Sequence, residues 1–245
     1  MNGMKTTLAV AISIVVGLAA AGWLFSRGMA QFRMADRFVT VKGLAEKDAK
    51  ADLALWTIKL VSTSDSLAQA QAKVDSDLEK VSAFLESKGL SSEEISAGRV
   101  EVIDLLAQQY RGEGASQSRY IVKSSVGVRT DKVDLIDQIS RATGELVRSG
   151  VVLEENFGDG GSDPRFLFTK LNDVKPEMIA EATASARRAA EQFAKDSDSR
   201  LGKIKRAYQG MFMILARDGD ENVQESKYID KKIRVVSTVD YYLVR

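Results

Sequence analysis

Residues Thr6–Phe25 (TTLAVAISIVVGLAAAGWLF) carry no charge, and Lys5 stands just before them. At about 1.5 Å per residue, a helix of that length covers the roughly 30 Å hydrocarbon core of a bilayer. The run predicts one N-terminal transmembrane helix, dividing the chain into an anchor (1–30) and an ectodomain (31–245). A cleaved signal peptide is the competing expectation, with Ala19-Ala20-Ala21 or Gly28-Met29-Ala30 as its small-residue site. Trp23 and Phe25 followed by Arg27 suit the membrane interface of an uncleaved span. A buried soluble helix fits least, because Ser13 and Gly17 give it no polar face. Charge counting opposes export: Arg27, Arg33, Arg37 and Lys42 follow the run against Asp36 alone. Long domains cross regardless of flanking charge, so the expected arrangement is a single-pass inner-membrane protein with a periplasmic ectodomain.

The chain has no cysteine and no histidine. That removes disulfides, thiolate nucleophiles, Ser–His–Asp triads and the commonest transition-metal ligand. The expectation is a non-catalytic protein with no cofactor. Lys plus Arg is 35 and Asp plus Glu is 34, interspersed, which leaves no broad footprint for nucleic acid.

Past the anchor, Phe38–Gly43 reads as a strand, Leu44–Ala51 as a charged hairpin connection, and Leu53–Val61 as a second strand. Leu67, Ala70, Val74, Leu78, Val81 and Leu85 recur at helical spacing, and Gly89 supplies a left-handed stop. Strands are expected near Arg99–Leu106 and Arg119–Arg129, joined by a loop over Gln108–Ser118. A second helix opens near Asp131, buries Leu135, Ile139, Ala142 and Leu146, and ends before Gly150. A strand over Val151–Asn156, a loop at 158–163 and a strand at Phe166–Phe168 follow. The third helix takes Asp173 as cap and Pro176 in its first turn, with Ile179, Ala182, Ala186, Ala189 or Ala190, and Phe193 inward. Gly202 introduces a strand over Ile204–Leu215, and a last strand runs over Ile229–Val244. Helix, glycine and strand thus recur three times. The pattern predicts an α+β fold: two-layer sandwiches of largely antiparallel sheet with three main helices.

The ectodomain resembles the SIMPL-domain family of bacterial envelope proteins, the YggE-like proteins among them, over roughly Arg37–Arg245. The resemblance rests on the strand Phe38-Val39-Thr40-Val41-Lys42-Gly43 and the strand Ala51–Ile58. It rests also on the Leu67–Lys88 helix with its Lys88-Gly89-Leu90 stop, the Ala-rich helix Glu181–Ala190, and the turn Leu201-Gly202-Lys203. The chain departs from the family pattern at Leu44-Ala45, where a second glycine is usual, and at Ala51-Asp52, where Pro-Asp is usual. The resemblance implies an exported or anchored α+β domain, a loose link to envelope and oxidative-stress defence, and ring- or barrel-like homo-oligomers. It brings no catalytic residues.

Two acidic loops offer a competing role, as a periplasmic ligand- or metal-binding sensor or enzyme: 158–163 and 218–222. Asp218, Asp220 and Asn222 begin like a calcium loop, but Val223 stands where glycine is needed and Ile229 where the bidentate Glu belongs. Solvated turns fit both loops better. For assembly, Ala182, Ala186, Arg187 and Arg188 are the candidate interface, small residues for close approach and arginines for a neighbour's carboxylates. Trp23, Phe25 and Arg27 are the candidate membrane interface. The lipid bilayer and further copies of the chain are the expected partners.

Overall fold

The computed structural model describes residues 16–19, 21–25, 37–107, 118–154, 163–219 and 223–244. Two compact units emerge: Met1–Glu46, Lys175–Phe212 and Arg234–Arg245 form the first; Lys47–Val174 and Met213–Ile233 form the second. The fold is α+β with antiparallel strand pairing. Residues 16–19 and 21–25 are helical and exposed. Among the described residues no helix is long and apolar enough to cross a membrane, and the rest of the Thr6–Phe25 run lies outside them.

The second unit is built on β2 (Leu53–Ser64), which pairs antiparallel with β5 (Tyr120–Thr130) on one side and with β6 (Arg165–Leu167) on the other. The short strands β3 (Ile95–Ala97) and β4 (Glu101–Asp104) both pair with β5. Strand alternation puts Ala54, Trp56, Ile58 and Leu60 with Val126 and Val128 on one face. That face is covered by α1 (Leu67–Ser87), α2 (Val133–Arg141) and the short α3 (Gly144–Arg148), through Val81, Leu85, Ile136, Ile139 and Leu146. Gly89 (φ 103°) and Gly150 (φ 84°) take the left-handed conformation that ends α1 and α3, where a Cβ is strained.

The first unit lays α4 (Leu171–Asp196) against β1 (Phe38–Lys50), β9 (Asp230–Val244) and β7 (Arg200–Gln209), in the order β1-β9-β7. Met178, Ala182, Ala186, Ala190 and Ala194 are all buried. At Gly43, an added Cβ would lie 1.9 Å from the Ala182 carbonyl oxygen and 2.4 Å from the Ala186 nitrogen. The missing side chain is what lets helix and strand backbones approach.

Several expectations need correction. Leu44–Ala51 is no connection, because β1 continues to Lys50 with Ala45 inward and Leu44 and Glu46 outward. The second helix is broken at Ala142-Thr143, and Ile136 rather than Leu135 or Ala142 is its fully buried residue. Val151–Asn156 contributes one bridge, Leu153 to Leu60, among its described residues. The third long helix starts at Leu171, so Asp173 and Pro176 stand inside it, and Phe193 is 57% exposed while Ala194 is buried. Ile204–Leu215 is two strands, β7 and β8 (Met213–Ala216). Asp198 (φ 50°), not Gly202, takes the left-handed turn after α4. Gly202 lies within β7, where an added Cβ would meet the Tyr242 carbonyl at 2.9 Å.

Candidate functional site

The helix-covered face of the second unit's sheet is apolar; its other face is basic. Leu55 on β2 pairs with Arg129 on β5 and with Arg165 on β6. Paired residues on adjacent strands share a face, so two arginines stand in one row with Leu55 between them. With strands about 4.8 Å apart, their Cα atoms are separated by about 10 Å. A second row runs Thr57, Gly127, Ser96, with the Ser96 hydroxyl donating to the Gly127 carbonyl at 3.2 Å. An added Cβ at Gly127 would lie 2.9 Å from that hydroxyl oxygen. Lys59 heads the third row, opposite Ser125.

These rows floor a cleft of about 820 Å³. Asp163 and Pro164, with Gln224, Ser226 and Lys227, also line it. Among the described residues that line it, the cations Lys59, Arg129, Arg165 and Lys227 face one carboxylate, Asp163, whose Oδ2 is 3.6 Å from Lys227 Nζ. Lys59, Arg129 and Arg165 have no carboxylate partner among the described residues. A smaller cavity of about 210 Å³ shares Lys59 and sets Lys59, Arg99 and Lys123 against Glu101 and Glu154, with Lys123 and Glu154 paired at 2.5 Å.

The surroundings are held by stronger contacts than the floor. Lys231 is fully buried, and its ammonium donates to the Glu225 carboxylate at 2.6 Å and to the Glu225 carbonyl oxygen. That fixes the 3-10 turn Glu225–Lys227 that carries Ser226 and Lys227. Asp52 accepts from the Thr169 amide at 2.7 Å and its hydroxyl at 3.0 Å, securing the chain beyond β6. Glu94, two residues before Ser96, accepts from the Thr130 hydroxyl at 2.5 Å, the Ser91 amide at 2.8 Å and Lys132 at 3.0 Å. Led by the Thr130 hydrogen bond, these donors hold its carboxyl down to about 2.

Unpaired like charges on one sheet face repel, and an anion on that face relieves them. Arginine supplies a planar fork of donors suited to phosphate or carboxylate oxygens. The cleft's chemistry is therefore that of an anion receptor.

The residues singled out from sequence fall elsewhere. Asp218 pairs with the neighbouring Arg217 at 2.9 Å, and that guanidinium holds its carboxyl below the usual range. Asp220 and Asn222 lie outside the described residues, as do 158–162 of the other acidic loop; its described residue, Asp163, lines the cleft. Among the described residues no three carboxylates gather where a metal ion could be held. Ala182 and Ala186 are fully buried against β1, where their small side chains serve packing within the chain. Arg187 and Arg188 are exposed on α4. Trp23 and Phe25 are 57% and 71% exposed, and Arg27 lies outside the described residues. The cleft cations were not anticipated. The signal of the cleft's two arginines in the sequence is that Arg129 ends the strand expected at Arg119–Arg129 and Arg165 stands just before the one expected at Phe166–Phe168.

The SIMPL family, described as a protein of unknown function (DUF541), matches residues 39–240. The chain belongs to the SIMPL family. No curated protein matches it.

Proposed function

We propose that the chain is a non-catalytic, membrane-anchored protein of the bacterial envelope whose second unit captures an anionic ligand. The row of Arg129 and Arg165 about Leu55 carries this reading: two guanidiniums share a face, and no carboxylate among the described residues answers them. Thr6–Phe25 supplies the single transmembrane helix and the ectodomain is periplasmic, as its apolar length favours. Copies associate into a homo-oligomer, with the exposed Arg187-Arg188 pair on α4 as the candidate contact. A link to envelope or oxidative-stress defence accords with the family resemblance. The competing sensor role passes from the acidic loops to the basic cleft, where the ligand is an anion in place of a metal ion.

The test is a thermal melt of the detergent-solubilised full chain with inorganic pyrophosphate at constant ionic strength. A ligand that binds only the folded state raises the melting temperature as its concentration passes Kd. A melt that does not move up to millimolar pyrophosphate overturns the reading.

A further inference from the structure

The first unit's sheet also has a face turned away from its helix, and its composition differs from that of the cleft. Phe38 and Tyr242 lie on it with Lys205, whose ammonium sits 4.0 Å from the Phe38 ring centroid and 5.5 Å from that of Tyr242. Arg206 stacks on Tyr208 at 5.2 Å and donates to Asp240 at 3.1 and 3.2 Å. Consecutive strand residues normally point to opposite faces. Lys205 and Arg206 both reach this face because the β7–β9 register shifts between Ile204 and Arg206. The irregularity thus sets two cations beside three aromatic rings. Phe38 is 43% exposed, Tyr208 54% and, at the end of β9, Val244 48%.

We infer that this face rests on the surface of an anionic bilayer, an inference that depends on the N-terminal anchor of the proposed function. Aromatic rings with basic neighbours suit the headgroup region, where rings take the interface and cations meet lipid phosphates. The chain's course supports lipid as the occupant. Eleven residues, 26–36, separate the apolar run from Arg37, and fully extended they span no more than about 40 Å. Phe38, a member of the face, is therefore tethered near the membrane. A second copy fits less well. Strand β7 carries Arg200, Lys203, Lys205 and Arg206 and no carboxylate, so edge-to-edge pairing with itself sets cation against cation.

The absence of cysteine makes single-site labelling clean. The test places an environment-sensitive fluorophore at Val244→Cys, with Glu191→Cys on the exposed side of α4 as control. The full chain is reconstituted in nanodiscs of phosphatidylcholine alone or with phosphatidylglycerol. The expected result is a blue shift at 244, not at 191, that requires phosphatidylglycerol and is lost in Lys205→Glu. Carbonate extraction of the same chain from vesicles reads the anchor separately. Retention with a water-like spectrum at 244 in both lipids overturns the face and leaves the anchor standing. Release by carbonate from both lipids overturns the anchor and the face together. A blue shift that grows with the number of chains per disc, whatever the lipid, overturns the lipid assignment in favour of self-association.

Discussion

Arg129 and Arg165 stand on either side of Leu55, each its antiparallel partner, so two guanidiniums share one face across three strands. The strands come from distant parts of the chain, and β2 is the template that brings them together. The helix-covered side of the same strands is closed by Trp56, Ile58 and Leu60, which keeps the basic side from rearranging. The basic row and the core are thus the two faces of one alternating strand.

The buried ion pair beside the cleft is predicted to respond unequally to its two truncations. Glu225→Ala leaves the Lys231 ammonium buried with only a carbonyl partner and costs about 3 kcal/mol or more. Lys231→Met removes the buried charge, and the Glu225 side chain, 38% exposed, reaches water, so the loss is about 1–2 kcal/mol. Urea denaturation of both variants checks the order.

Gly43→Ala tests the helix–strand contact of the first unit. Its new methyl meets the Ala182 and Ala186 backbone, which has no rotamer to yield, and the expected cost is about 3 kcal/mol or more. A variant as stable as the parent contradicts the close approach.

Glu94 ties stability to acid pH. Its carboxyl sits at about 2 when folded against an ordinary 4.5, so its contribution is fully present above 4.5 and disappears as pH falls through about 2. Because the group lies near solvent, that contribution is about 1 kcal/mol. Glu94→Gln is therefore expected to destabilise at pH 7 and to converge with the parent at pH 2 in chemical denaturation.

Self-association is checked by light scattering on the detergent-solubilised full chain. A homo-oligomer at micromolar concentration is expected, with Arg187→Glu/Arg188→Glu shifting it toward monomer. A strict monomer contradicts assembly.

The helical stripes of α1 and the alternation of β2 and β5 were legible because large apolar residues mark them. Strand β1 beyond Gly43 was not, since its buried residue there is the small Ala45 while Leu44, Glu46, Asp48 and Lys50 are exposed. The inward row of α4 is legible at Ala182, Ala186 and Ala190 and slips by one residue at its ends, where Met178 and Ala194 rather than Ile179 and Phe193 are buried. Two interleaved units leave no flexible linker to read, as the chain enters each more than once. The cleft was least legible of all. Arginines at 129 and 165 become neighbours only through the register of β2 with both partners, which depends on pairing between remote segments.

The central claim is that this row binds an anion, and calorimetric titration of the full chain with pyrophosphate tests it most directly. The expected result is saturable binding that weakens with added salt. In Arg129→Gln/Arg165→Gln the affinity is expected to fall at least tenfold, about 1.4 kcal/mol, with the melting temperature of the unliganded chain unchanged or raised. Equal affinity in parent and double variant, or no heat of binding in the parent, contradicts the account.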